Sequence, residues 1–236
     1  MNILRPSFPA SADILAFLEK RAGLVFPTGR LGDVERGLTK LAARIGVRDA
    51  NGMLQRLQSD ATLLEELLAD LVVGETYFFR EPQQFAALRE MVLPDLLSNR
   101  AFDAPLQLWS AGCATGEEAY SLAILLEQEG LAARGDILAT DISARALGKA
   151  ARATYEHWSF RGANEDFTRV YFRPRCGKFH LIDRIRNKIT FAPANLAAEA
   201  YPGPRRGDKF DLILCRNVLI YFSGQTVAQV AQRFHE

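Results

Sequence analysis

What this 236-residue sequence lacks narrows the field first. Cysteine is scarce: Cys113, Cys176 and Cys215 are an odd number with no metal-ligand spacing. That excludes a disulfide framework and leads us to expect a reduced, cytoplasmic setting. The three histidines, His157, His180 and His235, are scattered, so no metal site is expected. Neither sign of charge dominates, with 29 Lys and Arg against 28 Asp and Glu, and no nucleic-acid partner is expected. The opening MNILRPSFPASADI holds Pro6 and Pro9 and no long apolar core. It reads as neither a signal peptide nor a membrane span, so no direct membrane insertion is expected. A hydrophobic content of 48% and a charged content of 24% fit one large or two small globular domains.

The densest chemistry lies in Gln107 to Leu126, QLWSAGCATGEEAYSLAILL. Pro105, Leu106 and Leu108-Trp109 read as the start of a strand. Gly112 and Gly116 bracket a tight turn. Glu117 and Glu118 give an acidic first turn to a helix with Ala119, Leu122, Ala123, Leu125 and Leu126 on its apolar face. Dinucleotide folds carry G-x-G-x-x-G, and phosphate loops carry G-x-x-x-x-G-K-[ST]. Here the turn is followed by two glutamates and no lysine. Such carboxylates repel a pyrophosphate and suit a ligand with a cationic amine and hydroxyls. S-adenosylmethionine is such a ligand.

Two further runs extend the pattern. Ile137 to Ile142 ends in Asp141, where a second parallel strand is expected to end after one crossover helix. An acid there reads ribose hydroxyls, with an N-cap role for Asp141 or Ser143 as the structural alternative. Leu212-Ile213-Leu214 reads as a buried parallel strand running into Cys215, Arg216, Asn217 and then Tyr221. Polar residues at the carboxyl end of a central strand sit where ligands bind an α/β sheet.

Upstream, residues 1 to about 10 form a proline-containing lead, and helical spacing then predicts four helices. They are a Ser11-capped helix through Arg21, one from about Gly32 to Ile45, a short one over Asn51 to Gln58, and one over Thr62 to Val73. The second carries Arg36, Lys40 and Arg44 on one stripe, with no acid four positions before or after to neutralise them. A solvated face and a dock for an acidic partner are both open for that stripe. Gln83 to Ser98 is expected to be a linker helix, and Asn164 to Val170 another short helix. Thr154 to Gly162 reads as irregular and aromatic. Alternation over Tyr171 to Phe191, with Pro174 and Gly177 at a turn, predicts a small antiparallel sheet.

Taken in order, ETYFFRE, SAGCATGEEAYSLA, ATDI, PANL and CRNVLIYF resemble the CheR family. These are S-adenosylmethionine-dependent protein-glutamate O-methyltransferases of bacterial chemoreceptor signalling. The resemblance covers roughly residues 12 to 236. It implies an α/β fold: a Rossmann-like S-adenosylmethionine-dependent methyltransferase domain with a small antiparallel β-subdomain, preceded by an all-α N-terminal domain. The expected division is residues 1–82, a linker helix over 83–103, and a catalytic domain over 104–236 with the β-subdomain at about 171–191. The chain ends at Glu236 in a helix starting after Ser223, so the last strands of the sheet are expected to be missing and an edge exposed.

The resemblance also implies roles. Thr76 and Arg80 are expected to touch the methionine part of the cofactor or the substrate carboxylate. Gly112, Glu118, less readily Glu117, and Asp141 are expected to face the cofactor, and Asn195, Leu196, Cys215, Arg216 and Asn217 to line its adenosine and methionine pockets. Gly74 stands where many members have Asn, which removes one side-chain contact. Substrate glutamates lie on the cytoplasmic helical domain of chemoreceptors, with Arg36, Lys40 and Arg44 as the expected dock. The turn Pro174-Arg175-Cys176-Gly177 is shorter than in members that grip a receptor pentapeptide, so no such tether is expected.

A glutamate carboxylate is already anionic at pH 7, so methyl transfer needs no general base. Catalysis then rests on orientation by Arg80, Arg216 and Tyr221. The alternatives are a module that binds the cofactor and signals without transferring a methyl group, and a methyltransferase of nucleic acid or small molecules. Against the last stands Cys215-Arg216-Asn217-Val218, where base-methylating enzymes carry Asn/Asp-Pro-Pro-Tyr/Phe.

Overall fold

The structure, a computed structural model, describes residues 8–72, 74–161, 165–207 and 209–236. Most of the proline-containing lead falls outside them, as does Asn164, the expected start of one short helix. Contacts group the chain into two units: the described residues up to 72 with 195–201 and 217–236, and the described residues of 74–194 with those of 202–216. The grouping changes near residue 73, ahead of the expected boundary at 82. It also gives the last helix to the first unit, whereas the sequence pattern puts it in the catalytic domain.

The first unit starts with α1 (Ala12–Ala22), capped by the Ser11 hydroxyl, which accepts from the Ile14 amide at 3.4 Å. Its apolar stripe, Ile14, Leu18 and Ala22, is buried. Next come α2 (Leu31–Ile45), α3 (Ala50–Ser59) and α4 (Ala61–Leu71). Leu63, Leu64, Leu67, Leu68 and Leu71 of α4 are all buried. Gly37 lets α2 close on this leucine face: a Cβ there would lie 3.1 Å from Leu67 Cδ1. The close packing corrects the expectation of an unneutralised cationic stripe. Lys40 pairs with Asp70 at 2.8 Å, Arg44 with Glu66, and Arg36 with Asp33. The acids come from the neighbouring helix and from three residues back, positions that spacing of four along α2 does not sample.

The second unit opens with one helical run, α5 (Pro82–Ala87), a π turn (Leu88–Val92) and α6 (Leu93–Ser98). Pro94 supplies no amide and its ring crowds the carbonyl four residues back, and the wide π turn relieves this without breaking the helix. The main sheet contains β1 (Leu106–Ala111), followed by α7 (Glu117–Gln128), and β2 (Gly135–Asp141), followed by α8 (Ala144–Arg152). A second, antiparallel sheet is built from β3 (Thr154–Tyr155), β4 (Phe172–Arg175) and β5 (Lys178–Leu181), with α9 (Glu165–Tyr171) between β3 and β4. After α10 (Asp183–Arg186) the chain rejoins the main sheet as β6 (Ile189–Pro193) and β7 (Leu212–Leu214).

The main sheet is parallel, in the order β6-β2-β1-β7. The chain builds outwards from β1 through β2 to β6, then returns to pair β7 with the other side of β1. The carboxyl ends of β1 and β7 are therefore the switch point where α/β sheets bind ligands. All six residues of β1 are buried, as an apolar strand between two others requires.

Three expectations need correction here. Ile189–Pro193 belongs to the main sheet, paired with Ile137–Asp141. The antiparallel sheet recruits Thr154–Tyr155 instead, because alternation marks a strand but not its partner. Leu212–Leu214 is only half-buried, since among the described residues no strand pairs with its outer side. In the β4–β5 hairpin, Cys176 and Gly177 both have positive φ, 49° and 73°, the geometry of a two-residue turn.

Behind this sheet sits an aromatic core. Phe78 is fully buried, with ring centres 4.9 Å from Tyr155, 5.0 Å from Phe172 and 5.4 Å from Phe160. It anchors the 74–81 segment to the second unit. The final helix, α11 (Gly224–His235), is capped by Ser223, whose hydroxyl accepts from Thr226 N. It belongs to the first unit, where Val25 N donates to Tyr221 O at 2.9 Å.

Candidate active site

The turn after β1 is shaped by the end of β2. Gly112 N and Cys113 N both donate to Thr140 O at 2.8 Å. Ala114 N, on a residue with φ of 47°, donates to Asp141 Oδ2 at 2.8 Å. Gly116 N donates to Cys113 O. These amides are thus spent inside the fold, and the turn is no open nest for a phosphate. Gly116 is required twice: its φ is 93°, and a Cβ would sit 2.9 Å from that of Ala150.

Around this turn lie three carboxyl groups. Asp141, 9% exposed, also accepts from Ser143 N at 2.8 Å, while Ser143 itself caps α8. The N-cap alternative therefore falls to Ser143, and Asp141 ties the turn after β1 to the start of α8. Burial pushes its carboxyl up from the ordinary range. Glu117 is 2% exposed and accepts from Thr115 Oγ1 at 2.6 Å and Ser159 Oγ at 2.9 Å. Burial raises its pKa too. Each of its oxygens accepts one hydrogen bond from within the fold.

Glu118, one helical step further round, points elsewhere. Its Oε1 accepts from Ser110 Oγ at 2.7 Å, and its Oε2 lies 3.5 Å from Arg216 Nη1. Burial outweighs both partners, and the carboxyl is pushed up to about 7. Arg216 has a 12% exposed side chain, donates to Arg80 O and lies 3.8 Å from Glu81. Its guanidinium sits 5.3 Å from the centre of the Phe85 ring. It is a buried ion-pair partner, and its Nε is buried with no hydrogen-bond partner. An unsatisfied buried donor costs about 1–3 kcal/mol.

Cys215, next to Arg216, has its thiol pushed up to about 12 by burial, so it is neutral. Cys113 is buried, and its thiol is likewise raised. Thr76 and Arg80 lie on the 74–81 segment. Gly74 approaches the turn, since a Cβ on it would stand 3.5 Å from that of Ala114. Arg80 lies along the Tyr77 ring, 5.9 Å from its centre, and donates to Glu75 O. The second unit thus carries Thr76, Arg80, Gly112, Glu118, Asp141, Cys215 and Arg216, with Arg216 touching both Arg80 and Glu118, and Asp141 holding the turn that starts at Gly112.

The other expected residues belong to the first unit. Asn195 donates to Arg21 O at 2.7 Å and accepts from Ala197 N at 2.9 Å. Its side-chain amide is thus engaged in an Asx-type turn. Leu196 is buried there. Asn217 is exposed with φ of 58°. Tyr221 lies on a short 3₁₀ turn under the Arg30 guanidinium, 5.1 Å from its ring centre. Sequence reasoning missed Ser110, Ser159 and Arg161. The small polar Ser110 inside an otherwise apolar strand is the one signal that pointed to a partner.

The acidic lining, the closed amides of the turn and the unspent Arg216 Nε fit a ligand that carries a cation, a carboxylate and hydroxyls together. S-adenosylmethionine has this donor set, and the protein is an S-adenosylmethionine-dependent methyltransferase. The family profile described as CheR methyltransferase, SAM binding domain, matches residues 74–236, and the chain belongs to that family. It is 32% identical over 228 residues to chemotaxis protein methyltransferase 1 of Pseudomonas aeruginosa, covering 93% of this chain and 81% of that one. A chemotaxis protein methyltransferase of Listeria monocytogenes is 34% identical, over 77% of this chain and 67% of its own. A probable biofilm formation methyltransferase of Pseudomonas putida is 34% identical, over 91% of this chain and 50% of its own. Among the described residues no helix is long and apolar enough to cross a membrane.

Proposed function

We propose that this protein methylates glutamate side chains on the cytoplasmic helical domain of chemoreceptors, yielding glutamate methyl esters and S-adenosylhomocysteine during chemosensory adaptation in the cytoplasm. The observation that carries the reading is the pair at the switch point: a buried, under-neutralised Glu118 beside an Arg216 with an unspent N–H. Glu118 suits the cofactor's ammonium, Arg216 Nε its carboxylate, and Asp141 its ribose hydroxyls. The bound cofactor supplies an electrophilic methyl group on a sulfonium.

The chain's own task is then to place a substrate carboxylate in line and to keep water out. A glutamate with an ordinary pKa near 4.3 is ionised, so no side chain has to remove a proton. Arg80 is half-buried, donates to the Glu75 main-chain carbonyl and lies along the Tyr77 ring, a placement that suits it to orient that carboxylate. Moderate pairing suits this task, because strong pairing would blunt the nucleophile. Arg36, Lys40 and Arg44 are the proposed dock, with receptor acids exchanging for Asp33, Asp70 and Glu66. The two-residue β4–β5 turn supports a receptor contact without a peptide tether.

Calorimetric titration with S-adenosylhomocysteine, beside Asp141→Ala and Asp141→Asn, tests the cofactor site. The expected result is binding by the parent and loss in the alanine variant. Labelled methyl transfer to a receptor fragment tests the substrate. Label released as methanol in alkali identifies an ester, whereas alkali-stable label or none from a cofactor-binding chain would overturn the glutamate reading.

A further inference from the structure

Residues His157–Phe160 form a 3₁₀ turn that no motif pointed to, yet it grips both walls of the site within the second unit. Ser159 O accepts from Phe78 N at 2.9 Å, and Ser159 Oγ donates to Glu117 Oε1. Arg161, just after the turn, reaches back to the 74–81 segment. Its guanidinium stacks between two rings, 3.8 Å from the centre of Tyr77 and 4.1 Å from that of Trp158. Its Nη2 donates to Glu75 Oε1 at 2.8 Å, and its Nη1 to Trp158 O at 3.0 Å. The Arg161 side chain is 22% exposed, while Trp158 is 66% exposed. An aromatic–guanidinium–aromatic sandwich needs a planar cation, which lysine does not provide.

We propose that Arg161 is a positioning residue for the methyltransferase site, clamping Glu75 and Tyr77 so that Thr76 between them faces the cofactor. Thr76 has two neighbours in the chain, and Arg161 holds both side chains. Phe78 N is pinned by the same turn, so the segment is fixed at three successive points around and beyond Thr76. The turn also holds Glu117, in the first turn of α7, so one element sets the spacing between the 74–81 segment and that helix. This inference rests on the methyltransferase reading and adds a residue to it.

The test measures S-adenosylhomocysteine affinity by calorimetry and steady-state KM and kcat for Arg161→Met, Arg161→Lys and Trp158→Ala. Arg161→Met is expected to weaken cofactor affinity and raise cofactor KM by about tenfold, with KM for the receptor fragment unchanged. Arg161→Lys keeps the charge opposite Glu75 but loses the sandwich, and an intermediate loss is expected. Trp158→Ala removes one exposed face and is expected to cost a few-fold. It carries the test if Arg161→Met fails to fold. Adding Glu75→Gln to Arg161→Met is expected to weaken binding little further, because the two act through one contact. Folded variants that bind the cofactor like the parent would overturn the inference while leaving the reading intact. A parent that does not bind would overturn both.

Discussion

The α2–α4 seam and the switch point both hold arginines paired with acids, yet the pairs do different things. On the seam, Arg36, Lys40 and Arg44 are 75%, 71% and 52% exposed, and their partners hold them in water. Exposed pairs of this kind contribute about 0–1 kcal/mol each and are screened by salt. At the switch point, Glu118 and Arg216 are 13% and 12% exposed. Their 3.5 Å contact does not offset the loss of water, which is why the Glu118 carboxyl stays raised. Exposure makes the seam's charges exchangeable, as a dock requires. Burial makes the switch-point pair costly on its own and receptive to a charged ligand.

The largest expected effect comes from removing the buried cation. Arg216→Met should weaken cofactor affinity about a hundredfold or more, because it strips Glu118 of its partner and the ligand carboxylate of its donor. Calorimetry with S-adenosylhomocysteine checks this, and affinity within a few-fold of the parent would break the contrast. Next is Glu118→Gln, which should weaken binding at pH 8 about tenfold yet stabilise the free protein. The sign comes from the raised pKa. The carboxyl's contribution is fully present below its ordinary 4.5 and is lost as pH rises through about 7. At pH 8 the free protein carries that penalty, and Gln removes about 2 kcal/mol of it. Urea unfolding at pH 5 and pH 8 reads the difference, which should vanish at the lower pH.

Reversing the exposed charges should do the opposite. Arg36→Glu with Lys40→Glu is expected to change stability by less than about 1 kcal/mol and leave cofactor affinity alone. Methylation of a receptor fragment should fall and lose its salt dependence; unchanged methylation would leave the seam a solvated face. The smallest effect expected is a few-fold gain in cofactor affinity for Gly74→Asn. Space exists for the new Cβ, 3.5 Å from that of Ala114, and the amide would lie beside the turn.

Much of the switch point was legible because its signals are local. Gly112, Gly116 and the two glutamates after them specify a strand, a turn and a helix within a dozen residues. Asp141 follows from the length of one crossover. The features that stayed hidden depend on the partner of each group. Asp70 and Glu66 neutralise Lys40 and Arg44 across 30 and 22 residues, a pairing that only helix packing creates. Glu117 and Glu118 look alike in the sequence, and their separate roles come from the helical turn between them. Asn195 matched a motif position while its amide went to Arg21 and Ala197. Ile189–Pro193 read as a strand of the wrong sheet for the same reason: alternation reports exposure, and pairing is decided elsewhere.

The most direct test of the central claim is calorimetric titration of the parent and Glu118→Gln with S-adenosylhomocysteine between pH 5.5 and 8.5, in buffers of different ionisation enthalpy. Parent affinity is expected to rise through about pH 7, and binding there to release protons, because the ligand ammonium favours the ionised carboxylate. In the variant both effects should disappear. A parent affinity that stays flat across this range, with no proton released, would contradict the claim that the buried Glu118–Arg216 pair is completed by the cofactor.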